Sequence, residues 1–201
     1  MRSYRKTGAT FAGYTLLEIM VALSVIVILA TLTAPSFQDS LVRNTREAAM
    51  LELTSALALA RSEAVAQSRT LTICRALDQA TCAASSGADW DQGWIIFTDS
   101  GVAGEVNAND TLAAVQGPGK KQAEIILQTS SNSNIAGDYL QFDASGFLKG
   151  GSTSYFRFCP PDKDVANARA IWLNSTGRST LSSDGGDGVH NDPGGNDLVC
   201  P

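Results

Sequence analysis

The side chains able to do chemistry are few and poorly placed for catalysis. Nucleophilic catalysis needs a base beside the nucleophile, and the chain holds one histidine, His190, inside an Asp- and Gly-rich tail. Neither a GxSxG nor a Walker A motif occurs. The stretch Gly117-Pro118-Gly119-Lys120-Lys121 resembles a phosphate loop only superficially and reads as a turn with solvated lysines. Acids are frequent but sit in turns, and none is set apart as half of an acid and base pair. No catalytic residue and no enzyme activity is expected. The four cysteines, Cys74, Cys82, Cys159 and Cys200, contain no CxxC pair, so a structural zinc site is not expected. Oxygen ligands are better represented. Asp184, Asp187, Asn191 and Asp192 in the tail, and the Asp99 to Asp110 loop with Glu105, Asn107 and Asn109, gather the donors that calcium uses. Neither group has the EF-hand spacing, so solvated loops are the plainer reading; calcium stays open, and no other cofactor is expected.

Something must position these groups, and the chain is strongly asymmetric. Its 201 residues carry 15 Lys and Arg against 20 Asp and Glu, a formal charge of -5. With 44% hydrophobic and 17% charged residues the chain is neither disordered nor built for broad nucleic-acid affinity, which needs clustered Lys and Arg. Ile19 to Ala34 contains no charge, whereas Asp184 to Pro201 contains four Asp and no cation. Ahead of the apolar run stand Arg2, Arg5 and Lys6 without an acid, a positive-inside arrangement. Leu16 to Ala34 gives 19 residues with a single charge, Glu18, and as a helix would cross roughly 28 Å against a bilayer core of about 30 Å. One membrane pass is predicted, with the remainder outside the cytoplasm. A secretory signal peptide fits less well, because the run is too long and only Ala30 to Ala34 offers a weak cleavage site.

Past Pro35 an amphipathic pattern resumes. Leu41, Ala49, Leu53, Leu57, Ala60 and Ala64 recur mainly at three and four residues, with Arg43, Arg46, Glu47, Glu52, Arg61 and Glu63 on other faces. This predicts one helix of about 50 residues, bent at Pro35, whose second half lays an apolar stripe under a globular part. After Ser68 the period changes to that of strands: Leu71 to Arg75, Trp94 to Asp99, Glu124 to Gln128, Tyr139 to Asp143, Tyr155 to Cys159 and Ala168 to Asn174. With no helix of similar strength between them, an antiparallel sheet or two small sheets packed on the helix are expected, an α+β fold. Trp90, Trp94 and Phe97 read as core or sheet-face aromatics rather than a stacking platform.

Glu18 is the informative residue, since a carboxylate kept in an apolar run usually has a cation to meet. The segment Gly13-Tyr14-Thr15-Leu16-Leu17-Glu18 resembles the type III leader site of type IV prepilins. The resemblance implies that prepilin peptidase cuts between Gly13 and Tyr14 and methylates Tyr14. It also implies that Glu18 meets the terminal amine of a neighbouring pilin and that Pro35 is the kink proline. Tyr14 stands where the family usually has Phe. A second segment, ALARSEAVAQSRTLTIC followed by a cysteine-containing loop and Trp90-Asp91-Gln92-Gly93-Trp94-Ile95-Ile96-Phe97, looks like the GspH/FimT family of minor pilins and pseudopilins. Ala170-Ile171-Trp172-Leu173 and Gly177-Arg178 match its final strand and turn more loosely.

This resemblance implies a pilin fold and a division into a leader at 1–13, a transmembrane and filament-core helix at 14–34, its amphipathic continuation at 35–69 and an extracytoplasmic β-rich domain at 70–201. It implies other pilins or pseudopilins, prepilin peptidase and an inner-membrane assembly platform as partners. The expected location is the inner membrane, then a pilus or pseudopilus. Four cysteines admit three pairings, and outside the cytoplasm disulfides persist; the favoured set is Cys74 with Cys82 and Cys159 with Cys200. Some relatives receive DNA through a Gly-Arg-x-Arg stretch. Here it reads Gly177-Arg178-Ser179-Thr180, lacking the second Arg, so contacts would rest on Arg178 with Lys120, Lys121 and Lys149. Loss of a leader with three cations and no acid takes the charge from -5 to -8, which disfavours phosphate. A minor pilin of a type IV pilus is the first reading, a type II secretion pseudopilin the second, and a DNA receptor the third.

Overall fold

The computed structural model describes residues 13–83, 90–118, 124–129, 139–151 and 153–201, with the side chains of 32–39 and 128–129 outside the description. Two compact units divide between Leu41 and Val42. Helix α1 spans Leu16–Gln67. Its start is set by Thr15, whose hydroxyl oxygen accepts the Glu18 backbone N–H at 3.2 Å while its carbonyl accepts that of Ile19. The helix continues past Pro35 instead of ending there. It stops at Ser68, a non-glycine residue at φ 52°, where the N–H groups of Ser68 and Arg69 close back on the carbonyls of Val65 and Ala64.

The second unit carries eight strands among its described residues: β1 Leu71–Arg75, β2 Trp94–Thr98, β3 Leu112–Gln116, β4 Glu124–Thr129, β5 Tyr139–Phe142, β6 Ser154–Cys159, β7 Arg169–Leu173 and β8 Ser179–Leu181. They form two four-stranded sheets in the orders β3-β2-β1-β5 and β4-β6-β7-β8, antiparallel throughout. The alternative of two small sheets is the one realised. β3 and β8 were not expected: LAAVQ is alanine-rich and half exposed, and β8 has three residues, so neither carries a strong period.

The core lies where both sheets meet the helix. Met50, Leu53, Leu57, Ala60 and Ala64 of α1 pack with Leu71, Ile73, Trp94 and Ile96 of one sheet and Ile125, Leu127, Phe156, Phe158, Ile171 and Leu173 of the other. The predicted stripe is the buried one from Leu53 onward, whereas Leu41 is exposed. Trp90 is 1% exposed and meets Phe156 edge-on, with centroids 4.8 Å apart. Those aromatics are core.

Each sheet is also covered on its outer face, which explains why β1 and β2 are buried along their whole length rather than alternately. Over the first sheet, Cys74, Ala76, Ile95 and Phe97 pack with Cys82, Val106 and Tyr139. Over the second, Ala168, Ala170 and Leu198 pack with Tyr155, Trp172 and Cys200. Each outer layer contains a disulfide: Cys74–Cys82 closes a separation of 8 residues and Cys159–Cys200 one of 41. The favoured cysteine pairing is the one formed, and no cysteine is free. In the chain-entropy account the long link stabilises by about 4 kcal/mol and the short one by about 2.6 kcal/mol.

Candidate assembly surfaces

The N-terminal segment presents its groups openly. Gly13, Tyr14 and Thr15 precede the helix, all three exposed, and Glu18 lies in its first turn, also exposed. From Leu16 to Leu29 every apolar side chain is exposed, on all sides of the helix. Its hydroxyls are satisfied within the helix: Ser24 Oγ donates to the Met20 carbonyl and Thr31 Oγ1 to that of Ile28, each at 2.8 Å. Among the described residues no helix is long and apolar enough to cross a membrane. The expected span of Leu16 to Ala34 includes 32–34, whose side chains lie outside the description, as does the side chain of Pro35.

The tail is a second built feature. Ser182 is buried at the end of β8, and its oxygen accepts the Ala170 N–H at 2.8 Å while lying 2.8 Å from His190 Nδ1. The His190 carbonyl accepts the Leu198 N–H, and Trp172 Nε1 donates to the Asn191 carbonyl at 3.2 Å. Burial pushes the His190 pKa down, and Arg169 pushes it further, with Asp184 opposing and Arg46 assisting. The folded imidazole therefore resists a proton that the unfolded chain accepts below about pH 6.5. Its contribution to stability is intact above that value and is lost as pH falls through the lowered folded pKa. We expect the protection of the Ala170 and Leu198 amides, taken relative to their intrinsic exchange at each pH, to be lower at pH 5 than at pH 7.5, and His190→Gln to flatten that dependence. An equal loss of protection in the variant would remove His190 as the cause.

The calcium candidates are occupied by the protein itself. Asp99 Oδ2 accepts from Thr72 Oγ1 at 2.6 Å, Gln141 Nε2 at 2.8 Å and the Gly104 N–H at 2.9 Å. Asp110 accepts from Ser100 through both N–H and hydroxyl and from the Asn107 N–H. Burial raises the Asp110 pKa, but these bonds outweigh it and the net shift is downward. In the tail, Asp192 Oδ1 takes the N–H groups of Gly194 and Asn196, and Asp187 that of Val189. Among the described residues no group of three or more His, Cys, Asp or Glu could hold a metal ion.

Of the cationic residues named from sequence, Lys120 and Lys121 lie outside the described residues, and Lys149 and Arg178 are exposed. Arg178 is not alone. It shares a groove of about 510 Å3 with Arg61, Ala58, Ser62 and Val65 of the helix. Arg61 was read only as a polar-face residue of α1, because nothing local in the sequence shows that the turn after β7 folds back beside it.

The family described as type II transport protein GspH matches residues 49–177. No curated protein matches the chain. Among solved structures, the type IV minor pilin FimU of Pseudomonas aeruginosa is 27% identical, with 70% of this chain and 90% of that one covered and a TM-score of 0.49. The minor pseudopilin EpsH from the type 2 secretion system of Vibrio cholerae is 11% identical, with 69% and 97% covered and a TM-score of 0.46. The family match alone takes in more than half of the sequence, from the buried stripe of α1 to the turn that carries Arg178, and on that ground the chain belongs to the GspH family.

Proposed function

We propose that this protein is a minor pilin of a type IV pilus, cleaved by prepilin peptidase after Gly13, held in the inner membrane by its N-terminal helix and then added near the filament tip to support assembly. The observation that carries the reading is the exposed apolar helix from Leu16 to Leu29 directly after Gly13, with Glu18 as its one charge. Apolar surface on all sides of a helix is stable only in lipid or among other apolar helices. A pilin uses the two in turn, first the bilayer and then the helical core of the filament, where burial among neighbouring helices offsets extraction. Two disulfides that tether covering loops suit a domain outside the cytoplasm.

The second reading, a minor pseudopilin of a type II secretion system, is favoured by the description of the matching family as a type II transport protein. Deletion of the gene separates the two: loss of surface pili with normal protein secretion supports the first, and the reverse supports the second. The processing step has its own test. Gly13→Arg is expected to leave full-length precursor in the membrane fraction, and a mature N-terminus still found at Tyr14 by mass spectrometry would contradict cleavage at this site.

A further inference from the structure

Three arginines come together beside the first turns that α1 contributes to the second unit. Arg46 Nη1 donates to the Asn167 carbonyl, and Arg169 Nη1 donates to the carbonyls of Ala166 and Ala168 at 2.9 and 2.6 Å. One guanidinium from the helix and one from the start of β7 thus end on three successive carbonyls of the short turn around Val165–Asn167. Arg43 stands one turn before Arg46 on α1, at the spacing of three residues that brings side chains of a helix together. Asp164, the acid of the short turn, is committed within it: its oxygens accept the Ala166 N–H and Asn167 Nδ2.

The cluster is not neutralised from inside. Arg46 is 3% exposed, and its Nε is buried without a hydrogen-bond partner. A buried cation left partly unmet is costly to the fold, and such a group asks what it meets. Burial pushes the Arg46 pKa down and Arg169 pushes it further, with Glu47 opposing and Arg43 adding to the fall. Glu47 and Asp184 are the acids in electrostatic reach, both exposed, so three guanidinium groups face two carboxylates. Arg43 is exposed and Arg169 half-buried, which gives an outside anion access to both.

Position in the chain says what that anion is. Arg43 comes nine residues after Ala34, the end of the apolar run, about 14 Å as helix. The headgroup layer extends about 5–8 Å beyond the hydrocarbon on each side, and a long cationic side chain leans back across the remaining gap. Cations this close to a span on its far side also work against the orientation set by Arg2, Arg5 and Lys6. Guanidinium forks match phosphate oxygens, and an adjoining bilayer presents phosphate at high effective concentration.

We propose that Arg43 and Arg169, backed by the buried charge of Arg46, hold the headgroup phosphate of an anionic phospholipid at the outer surface of the inner membrane. The contact seats the globular unit on the bilayer before assembly and is given up when the subunit is extracted. The inference rests on reading Leu16 to Ala34 as a membrane span and holds for pilin and pseudopilin alike.

The test uses the full-length chain in nanodiscs of phosphatidylcholine, alone or mixed equally with phosphatidylglycerol, at about 0.15 M salt. A benzophenone side chain replaces Val165, 37% exposed on the turn that the arginines hold, or Leu23, 56% exposed within the apolar run. We expect lipid adducts at Leu23 in both bilayers. Adducts at Val165 should rise severalfold with phosphatidylglycerol and fall about fivefold in R43Q, which is the contribution of about 1 kcal/mol that one cation makes beside an anionic surface. R43K keeps the charge and should keep most of the yield. Inorganic phosphate replacing chloride at equal ionic strength should leave the adduct in place. Adducts at Leu23 without adducts at Val165 overturn the inference alone, whereas loss of both removes the membrane reading and the inference with it. Equal Val165 yields in the two bilayers, or no change in R43Q, also overturn it. So does displacement by inorganic phosphate, because the site would then belong to the free ion.

Discussion

Phe156→Ala is expected to cost the globular unit about 3–5 kcal/mol, the usual range for removing a fully buried aromatic ring. Phe156 is 0% exposed and lies among residues from the helix and both sheets, with Trp90 standing edge-on to it. No neighbour can collapse into the space cheaply. Its own strand is pinned on both sides, by β4 through the pairing of Leu127 with Phe156 and by β7 through that of Phe156 with Ile171. In urea, where small proteins lose about 1–3 kcal/mol of stability per molar denaturant, the midpoint should fall by about 2 M. Trp90 reports the transition by fluorescence. Leu59→Ala, on the 39% exposed side of the same helix, serves as the control and should stay within about 0.5 kcal/mol. Similar losses in the two variants would mean that the junction of sheets and helix is not the core.

That junction was legible because helix period and strand period are local signals. Leu53, Leu57, Ala60 and Ala64 recur at helical spacing, and Phe156 and Phe158 alternate, so each names its buried face without knowledge of any partner. The outer faces were not legible. Arg157 and Cys159 alternate with Phe156 and Phe158 and so lie on the side away from the core, yet both are buried, because the tail crosses that side and is fastened at Cys200. The sequence distance between β6 and the tail hides such a cover; only the cysteine pairing hinted at it. Arg61 and Arg178 show the same limit. Their 117-residue separation is closed by two nested glycine turns, and a single glycine in sequence does not say which turn it will face. Glu18 was legible as a lone charge, but the cap before it was not: Thr15-Leu16-Leu17-Glu18 is also the spacing of a capping box, and Thr15 does accept the Glu18 N–H.

The capping geometry gives Glu18 a competing explanation and so shapes the second large prediction. An acid in the first turn favours its own helix by about 0.3–1 kcal/mol through the helix dipole, whatever its neighbours. If that were its whole role, Glu18→Ala would fray one turn of an already long helix and change little else. If Glu18 instead meets a neighbour's terminal amine, its loss leaves a cation without a partner in an apolar interface. Removing one member of such a pair costs about 2–5 kcal/mol, which is at least about thirtyfold in incorporation. We expect Glu18→Ala to be processed normally at Gly13 yet to be nearly absent from sheared filaments. Glu18→Gln separates the explanations, since it keeps length and hydrogen-bonding capacity but carries no charge. Both substitutions should fail alike in assembly, and Thr15→Ala, which removes the cap by about 1 kcal/mol and spares the charge, should assemble. Filaments containing the Gln variant at wild-type levels would reduce Glu18 to a helix-start residue and leave the apolar surface alone to drive assembly.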